Sequence, residues 1–578
     1  MAVNKTGEGN KPVKVYERIL QLLEAEGIST IFGIPDPNFV HLFHLAEERG
    51  WTVVAPHHEE SAGFMAEAVS RMTGGPAVCI GTLGPGIANL AGAMMCAKVE
   101  NSPVIFLGGQ RARITEQRVR RGRIQFVQQA GLVENSVKYS ASIEYADQTD
   151  EIIREGLRRA LSGTPGPVYI EYPSQVIQEE LDVPPPLPPE RYRLVNQTAG
   201  ADRVAAAVEL IRAAKQPVIL VGHGVHTARA GASVKALADL MAAPAIQTSG
   251  GTSFIAGLED RTFPYGFSAA SIDAVVKSDL CLAIGTELGE PVHYGRGRHW
   301  QENEANRKWI LVEQDPAAIG VNRPIDVPLV GDLRAVVPQL VEGLKDTPRT
   351  ASPELAGWIQ QDADQLAELA ETAPSGMSPV HPARLAVEAT KAFPADGIMV
   401  RDGGATTIFG WTYSQAKPHD VIWNQNFGHL GTGLPYAIGA SVAEGRKRPV
   451  MLVTGDSSFQ FQIAELETAA RLNLPLVCVV AVDYAWGLEV GVYKRTFGQG
   501  SRETGVHWST GTRLDKVAEG FGCYGEYVER DEDIAPAIKR AYGSGKPGVI
   551  HVAVDPKANS EEMPSYAEFR TWYAEGMQ

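Results

Sequence analysis

Short apolar runs that recur along the whole chain, each separated from the next by a helical pattern, limit its possible folds more than any other feature. They read AVCIGTL, PVIFLGG and PVYIEYP, then PVILVGH, LCLAIG and KWILVEQD, then GIMVRDGG, PVMLVTGD, PLVCVVAVD and GVIHVAV. Strands apolar on both faces belong in parallel sheets covered on each side by helices. At the amino end Val15, Ile19 and Leu22 share one helical face that stops at Gly27, and residues 29–34 follow as a strand. Two composition breaks divide the series. One is the proline run PPPLPPE at 184–190, an extended linker; the other lies at 346–382, opening DTPRTASPE and closing APSGMSPVHP around a helical stretch. The expectation is an α/β chain of three doubly wound domains with mainly parallel sheets: 1–185, 191–345 and 381–556, with a helix-bearing linker at 346–380 and a tail at 557–578.

Bulk properties exclude several classes. The 578 residues exceed what one core holds, and no run approaches the roughly 20 apolar residues that span a bilayer. The leading MAVNKTGEGNKPVKV lacks the apolar centre of a secretory signal and reads as a disordered lead. Cys79, Cys96, Cys281, Cys478 and Cys523 are scattered without a CxxC pair, which favours a reduced, cytoplasmic setting without disulfides. A formal charge of -15 argues against a nucleic-acid surface, the basic run at 111–123 being the local exception.

Chemistry concentrates where PVMLVT delivers Gly455-Asp456-Ser457 to the carboxyl end of a strand, the usual ligand edge of a parallel sheet. A glycine lets backbone approach an anion, the following helix offers free amides, and Asp456 suits a hard cation bridging phosphate oxygens. The helix after it should bury Phe459, Ile463, Leu466 and Ala470. Alone, such a turn is also an ordinary helix cap. Asp483, 27 positions after Asp456, returns to the same edge after one helix and one strand, so the two can face each other across a metal.

This pattern resembles the thiamine diphosphate signature of the pyruvate decarboxylase, acetolactate synthase and benzaldehyde lyase superfamily, in which GDG is followed at this interval by paired asparagines. The resemblance covers about residues 15–554. It implies a pyrimidine-binding amino-terminal domain, a middle domain and a diphosphate-binding carboxyl-terminal domain. It implies Mg2+ held by Asp456, Asp483 and the Ala485 carbonyl, with Gly455, Ser457, Ser458, Trp486 and Gly487 around the diphosphate. Val482 and Asp483 stand where the family has two asparagines, and Ser457 replaces the last glycine. HHEESAGFMAEAVSRMTG, at 57–74, resembles the family's activating helix and makes Glu59 the catalytic glutamate. IFGIP at 31–35, GTLGPGIANL at 81–90 and Gln125 resemble substrate-side segments. NQNFGHLGTGLPYAIGA, at 424–440, resembles the stretch that bends the cofactor, with Leu430 beneath its rings and the Gly428 carbonyl on the aminopyrimidine. Family members place Glu59 of one subunit on the cofactor of another, so a homodimer or homotetramer with interfacial active sites is expected.

GDSSFQF is similar to the oxalyl-CoA decarboxylase and 2-hydroxyacyl-CoA lyase branch. It points to cleavage of a 2-hydroxyacyl-CoA into formyl-CoA and an aldehyde or ketone, or the reverse ligation. Glu489 is either the base that takes the substrate hydroxyl proton or a solvated helix-end carboxylate. The alternatives are a 2-oxo acid decarboxylase or carboligase without coenzyme A, and a non-catalytic regulatory subunit. Arg296 and Arg298 in HYGRGRHW are candidates for a nucleotide phosphate, ADP or another, in the middle domain. Tyr566, Phe569, Trp572 and Tyr573 make the tail either a lid or a dock on a neighbouring subunit.

Overall fold

The computed structural model describes residues 12–116, 118–558, 563 and 565–571. The amino-terminal lead before residue 12, together with Trp572 and Tyr573, lies outside the described residues. The chain forms two compact units, one of residues 12–70 and 75–195, the other of residues 71–74 and 196–571.

The first unit is built on a six-stranded parallel sheet. In spatial order its strands are Thr52–Val54, Thr30–Gly33, Ala77–Gly81, Val104–Gln110, Val168–Pro173 and Tyr139–Ser142. Numbered along the chain, the order is 2-1-3-4-6-5. Ile31, Val78, Ile105 and Ile170 pack against Ile19 and Leu23 of the helix Val15–Glu24 and Ile153 and Leu157 of Thr149–Leu161. Each such side chain, fully buried, contributes about 1.5–3 kcal/mol. The proline run continues without regular structure to Pro188 and then closes in a single 3-10 turn, Pro189–Arg191.

The second unit carries two more six-stranded parallel sheets. The middle one runs Thr262–Pro264, Ala245–Gln247, Pro217–Val221, Leu280–Ile284, Lys308–Glu313, Val327–Val330, the dinucleotide-fold order 3-2-1-4-5-6. The last runs Val421–Ile422, Ile398–Arg401, Val450–Gly455, Leu476–Val482, Gly548–Ala553, Tyr524–Val528, which repeats the 2-1-3-4-6-5 order of the first unit. Between the two sheets, the expected linker helix is Pro353–Thr372. It starts where the Ser352 hydroxyl accepts the Leu355 N–H, and it joins the middle core through Leu355 and Trp358.

One local expectation fails. The single helix expected after Gly455-Asp456-Ser457 is two short ones, Asp456–Phe461 and Glu465–Arg471, separated at Gln462, whose φ of -122° leaves the helical region. The break re-aims the next turn, so Glu465, Leu466 and Ala469 face inward while Ile463 and Ala470 stay partly exposed. All five cysteines are buried and none forms a disulfide. Among the described residues no helix is long and apolar enough to cross a membrane.

Candidate cofactor and metal site

The strand order of the last sheet reverses between Ile398–Arg401 and Val450–Gly455, and open α/β sheets bind ligands at such a crevice. One strand ends in Asp402-Gly403-Gly404 and the helix Ala405–Tyr413; its neighbour ends at Gly455 and the helix Asp456–Phe461. Two helix N-termini, each with free amides and positive dipole, therefore open into one cleft of about 280 Å³. Gly428, Leu430, Gly455, Asp456, Ser457, Asp483, Ala485, Trp486, Gly487 and Glu489, all singled out in the sequence, line it together.

Asp456 and Asp483 are mutually close within it. Burial, and then the charge of Asp483, push the Asp456 carboxyl up to about 8. Asp456 Oδ2 accepts the Tyr484 N–H at 3.1 Å, and Asp483 Oδ1 accepts the Ala485 N–H at 3.0 Å. The turn between them is tight: Tyr484 sits at φ +58°, and a Cβ on Gly487 would fall 2.5 Å from Asp483 Oδ2. Two facing carboxylates in a buried setting hold either a shared proton or a cation between them, and oxygen donors of this kind suit a hard divalent ion. Among the described residues no third His, Cys, Asp or Glu side chain joins the pair. Any further ligands to an ion there would be backbone, phosphate or water oxygens, and Ala485 lines the same cleft.

The neighbouring wall fits a phosphate group. Thr407 Oγ1 lines the cleft, buried and without a hydrogen-bond partner, and Ser458 Oγ, just behind the turn, is equally unpartnered. A Cβ on Gly403 would come within 3.2 Å of the Gly455 nitrogen. The absence of a side chain there keeps the two backbone turns close.

Asp402 escaped the sequence reading. It is 3% exposed and accepts N–H bonds from Gly403 (2.6 Å), Gly431 (3.0 Å) and Gly433 (2.9 Å), tying the glycine-rich stretch to the end of its own strand. Burial still raises its carboxyl to about 6 against those three donors. Gly433 has to be glycine, since a Cβ would stand 2.7 Å from Asp402 Cβ. The Asp-Gly-Gly that ends GIMVRDGG was the available signal, parallel to the Gly-Asp-Ser that ends PVMLVTGD.

Glu489 stands exposed on the first turn of the helix Gly487–Phe497 and lines the cleft together with Lys494. Phe569 of the tail helix Tyr566–Thr571 lines it as well. Arg298 is not available to a nucleotide: Glu568 of that helix holds it at 2.9 Å, and holds His293 at 2.8 Å. Arg296 is solvent-exposed. No contact in the middle domain supports the ADP expectation.

In the first unit, Glu59 opens the helix Glu59–Thr73, and its Oε2 accepts the Asn89 side-chain N–H at 2.9 Å. Gly84, at φ +71°, packs so closely on the Gln125 carbonyl that a Cβ would lie 2.3 Å from it, while Gln125 itself is exposed at φ +55°. The buried Gln129, also missed in the sequence, accepts the Gly84 N–H at 2.6 Å and donates to the Gly109 carbonyl, fixing the same loop.

The last sheet thus brings two helix N-termini and a buried carboxylate pair to one cleft. Comparison with known proteins identifies the cofactor. Residues 402–552 match the thiamine pyrophosphate enzyme C-terminal TPP binding domain, 13–132 the N-terminal TPP binding domain and 204–340 the central domain. The chain belongs to the thiamine pyrophosphate enzyme family. It is similar to a probable acetolactate synthase large subunit of Methanococcus aeolicus (27% identity, 96% of this chain and 94% of the relative). It is also similar to the acetolactate synthase of Bacillus subtilis (28%, 95% of each) and to human 2-hydroxyacyl-CoA lyase 1 (26%, 93% and 94%). It is thus a thiamine diphosphate-dependent enzyme of acetolactate synthase and 2-hydroxyacyl-CoA lyase type.

Proposed function

We propose that the enzyme is a 2-hydroxyacyl-CoA lyase, cleaving its substrate to formyl-CoA and an aldehyde or ketone, and able to run as a ligase. The observation that carries this reading is Ser457 beside the cation-binding Asp456, in the segment Gly455-Asp456-Ser457 that lines the cleft. Lys494 and Lys557 on the lining, beside Glu489 and Asp555, offer two cationic contacts to an anionic thioester.

Bound thiamine diphosphate supplies a nucleophilic carbon and an electron sink for the bond that breaks. Asp456, Asp483 and the Ala485 carbonyl would hold Mg2+, and Thr407 and the amides near Gly404 and Gly455 would take the diphosphate. Leu430 and the Gly428 carbonyl, both on the cleft wall, would pack against the bound cofactor and orient it. Glu59 of one subunit holds a proton at the aminopyrimidine ring in a homodimer or homotetramer, with Gln125 on the substrate side. Glu489 takes the substrate hydroxyl proton as the adjacent carbon-carbon bond breaks and the hydroxyl becomes the carbonyl of the aldehyde or ketone. A proton must then be delivered to the acyl carbon, where it becomes the formyl C–H, before formyl-CoA leaves.

A second reading, a 2-oxo acid decarboxylase or carboligase, draws on the acetolactate synthase relatives and on Glu489. A mass-spectrometric screen of 2-hydroxyacyl-CoAs and 2-oxo acids with thiamine diphosphate and Mg2+ separates the two. Formyl-CoA release supports the first. Carbon dioxide or acetohydroxy acid formation without any thioester turnover removes it.

A further inference from the structure

A second cavity lies in the same unit, away from the cation site. It is bounded by the middle sheet, the linker helix Pro353–Thr372 and the helix Ala405–Tyr413. Its volume is about 70 Å³, room for about five water-sized groups. Arg401 lines it.

Arg401 is the last residue of the strand Ile398–Arg401, and Asp402 follows it. Successive side chains of an extended strand point to opposite faces. Asp402 accordingly lines the cofactor cleft while Arg401 lines the second cavity, and Trp411 contributes to both. The Arg401 side chain is 8% exposed and makes no hydrogen bond or ion pair with any described residue. Burial alone lowers its ionisation to about 10, with no charged neighbour acting on it, so it stays cationic at neutral pH. Every other charge in the wall is already engaged. Lys417 donates to the Glu259 carbonyl at 2.8 Å and lies 3.7 Å from Asp260, and Asp362 accepts the Ser268 hydroxyl at 2.6 Å.

A guanidinium that is 8% exposed and has no acceptor in the protein depends on whatever occupies the cavity for its hydrogen bonds. Its planar fork matches a carboxylate. Phe254, Tyr265, Phe267 and Trp411 supply an apolar surround suited to a short alkyl stub. A single uncompensated positive charge is balanced by a monoanion, whereas doubly charged phosphate would leave an excess negative charge beside Asp362. We propose that this cavity is a binding site for a small organic monocarboxylate, of acetate to propionate size, held by Arg401 next to the cofactor cleft.

Equilibrium dialysis of labelled acetate and propionate against the full-length enzyme loaded with thiamine diphosphate and Mg2+ tests this, with chloride matching the ionic strength. The expected result is one saturable site per chain, weakened at least tenfold in Arg401→Met, with the thermal midpoint of that variant not below wild type once the unpaired charge is gone. Ala416→Leu, which narrows the cavity and leaves the arginine in the sequence, should also abolish binding. Absence of a saturable site, binding unchanged in either variant, or displacement by inorganic phosphate at lower concentration than by propionate would each overturn the assignment.

Discussion

Replacing Glu568 by Gln should release the tail helix from the middle domain, and the structure sets the size of the effect. Glu568 is 4% exposed and receives His293 at 2.8 Å, His299 at 3.4 Å and Arg298 at 2.9 Å. Burial, the largest influence, pushes its carboxyl up; the two histidine hydrogen bonds and the arginine charge overcome it and bring it down to about 2. A carboxyl that ionises near pH 2 when docked, against about 4.5 when free, contributes about 3 kcal/mol, or about two decades in the ratio of docked to undocked tail. Its ionisation is depressed in the docked state, so the contribution is complete above pH 4.5 and is lost as the pH falls toward 2. Glutamine keeps the hydrogen-bonding shape and removes the charge. Limited proteolysis of the tail at neutral pH should therefore be faster in Glu568→Gln by one to two orders of magnitude, and wild type should approach the variant on acidification below pH 4.5. Because Phe569 on that helix lines the cleft, the variant should also raise KM more than it lowers kcat. Equal tail cleavage in the two proteins at neutral pH would refute the reasoning.

Three further changes probe other parts of the site. Gly487→Ala places a methyl 2.5 Å from Asp483 Oδ2 and should weaken Mg2+-dependent cofactor binding tenfold or more, measured by calorimetry. Asp402→Ala orphans three backbone N–H groups and should cost about 3 kcal/mol in urea denaturation. Glu59→Gln should lower kcat by about 10² to 10⁴ while leaving cofactor affinity near wild type; unchanged turnover would remove Glu59 from the chemistry.

The strands were legible because both faces of each are apolar, and the proximity of Asp456 and Asp483 because they end strands that are neighbours in sequence as well as in space. Asp402 was harder. Its partners Gly431 and Gly433 lie about 30 residues on, and only the crossover that puts Val450–Gly455 beside Ile398–Arg401 shows that Asp402 and Asp456 share a crevice. The interruption at Gln462 had no proline or glycine to announce it, and the apolar spacing continued helically across it. Arg298 looked like a free cation because its partner Glu568 is 270 residues away, a contact that no local pattern carries. Arg401 looked like an ordinary polar strand end; that no described residue accepts a hydrogen bond from it is visible only in three dimensions.

The central claim is that thiamine diphosphate is held through a divalent cation bound by Asp456 and Asp483. Calorimetric titration of the apoenzyme with thiamine diphosphate, with Mg2+ or with EDTA, tests it most directly when repeated on Asp456→Ala and Asp483→Ala. Tight binding that needs Mg2+ and collapses in both variants is the predicted result. Binding of equal strength in EDTA, or undiminished in either variant, would contradict it.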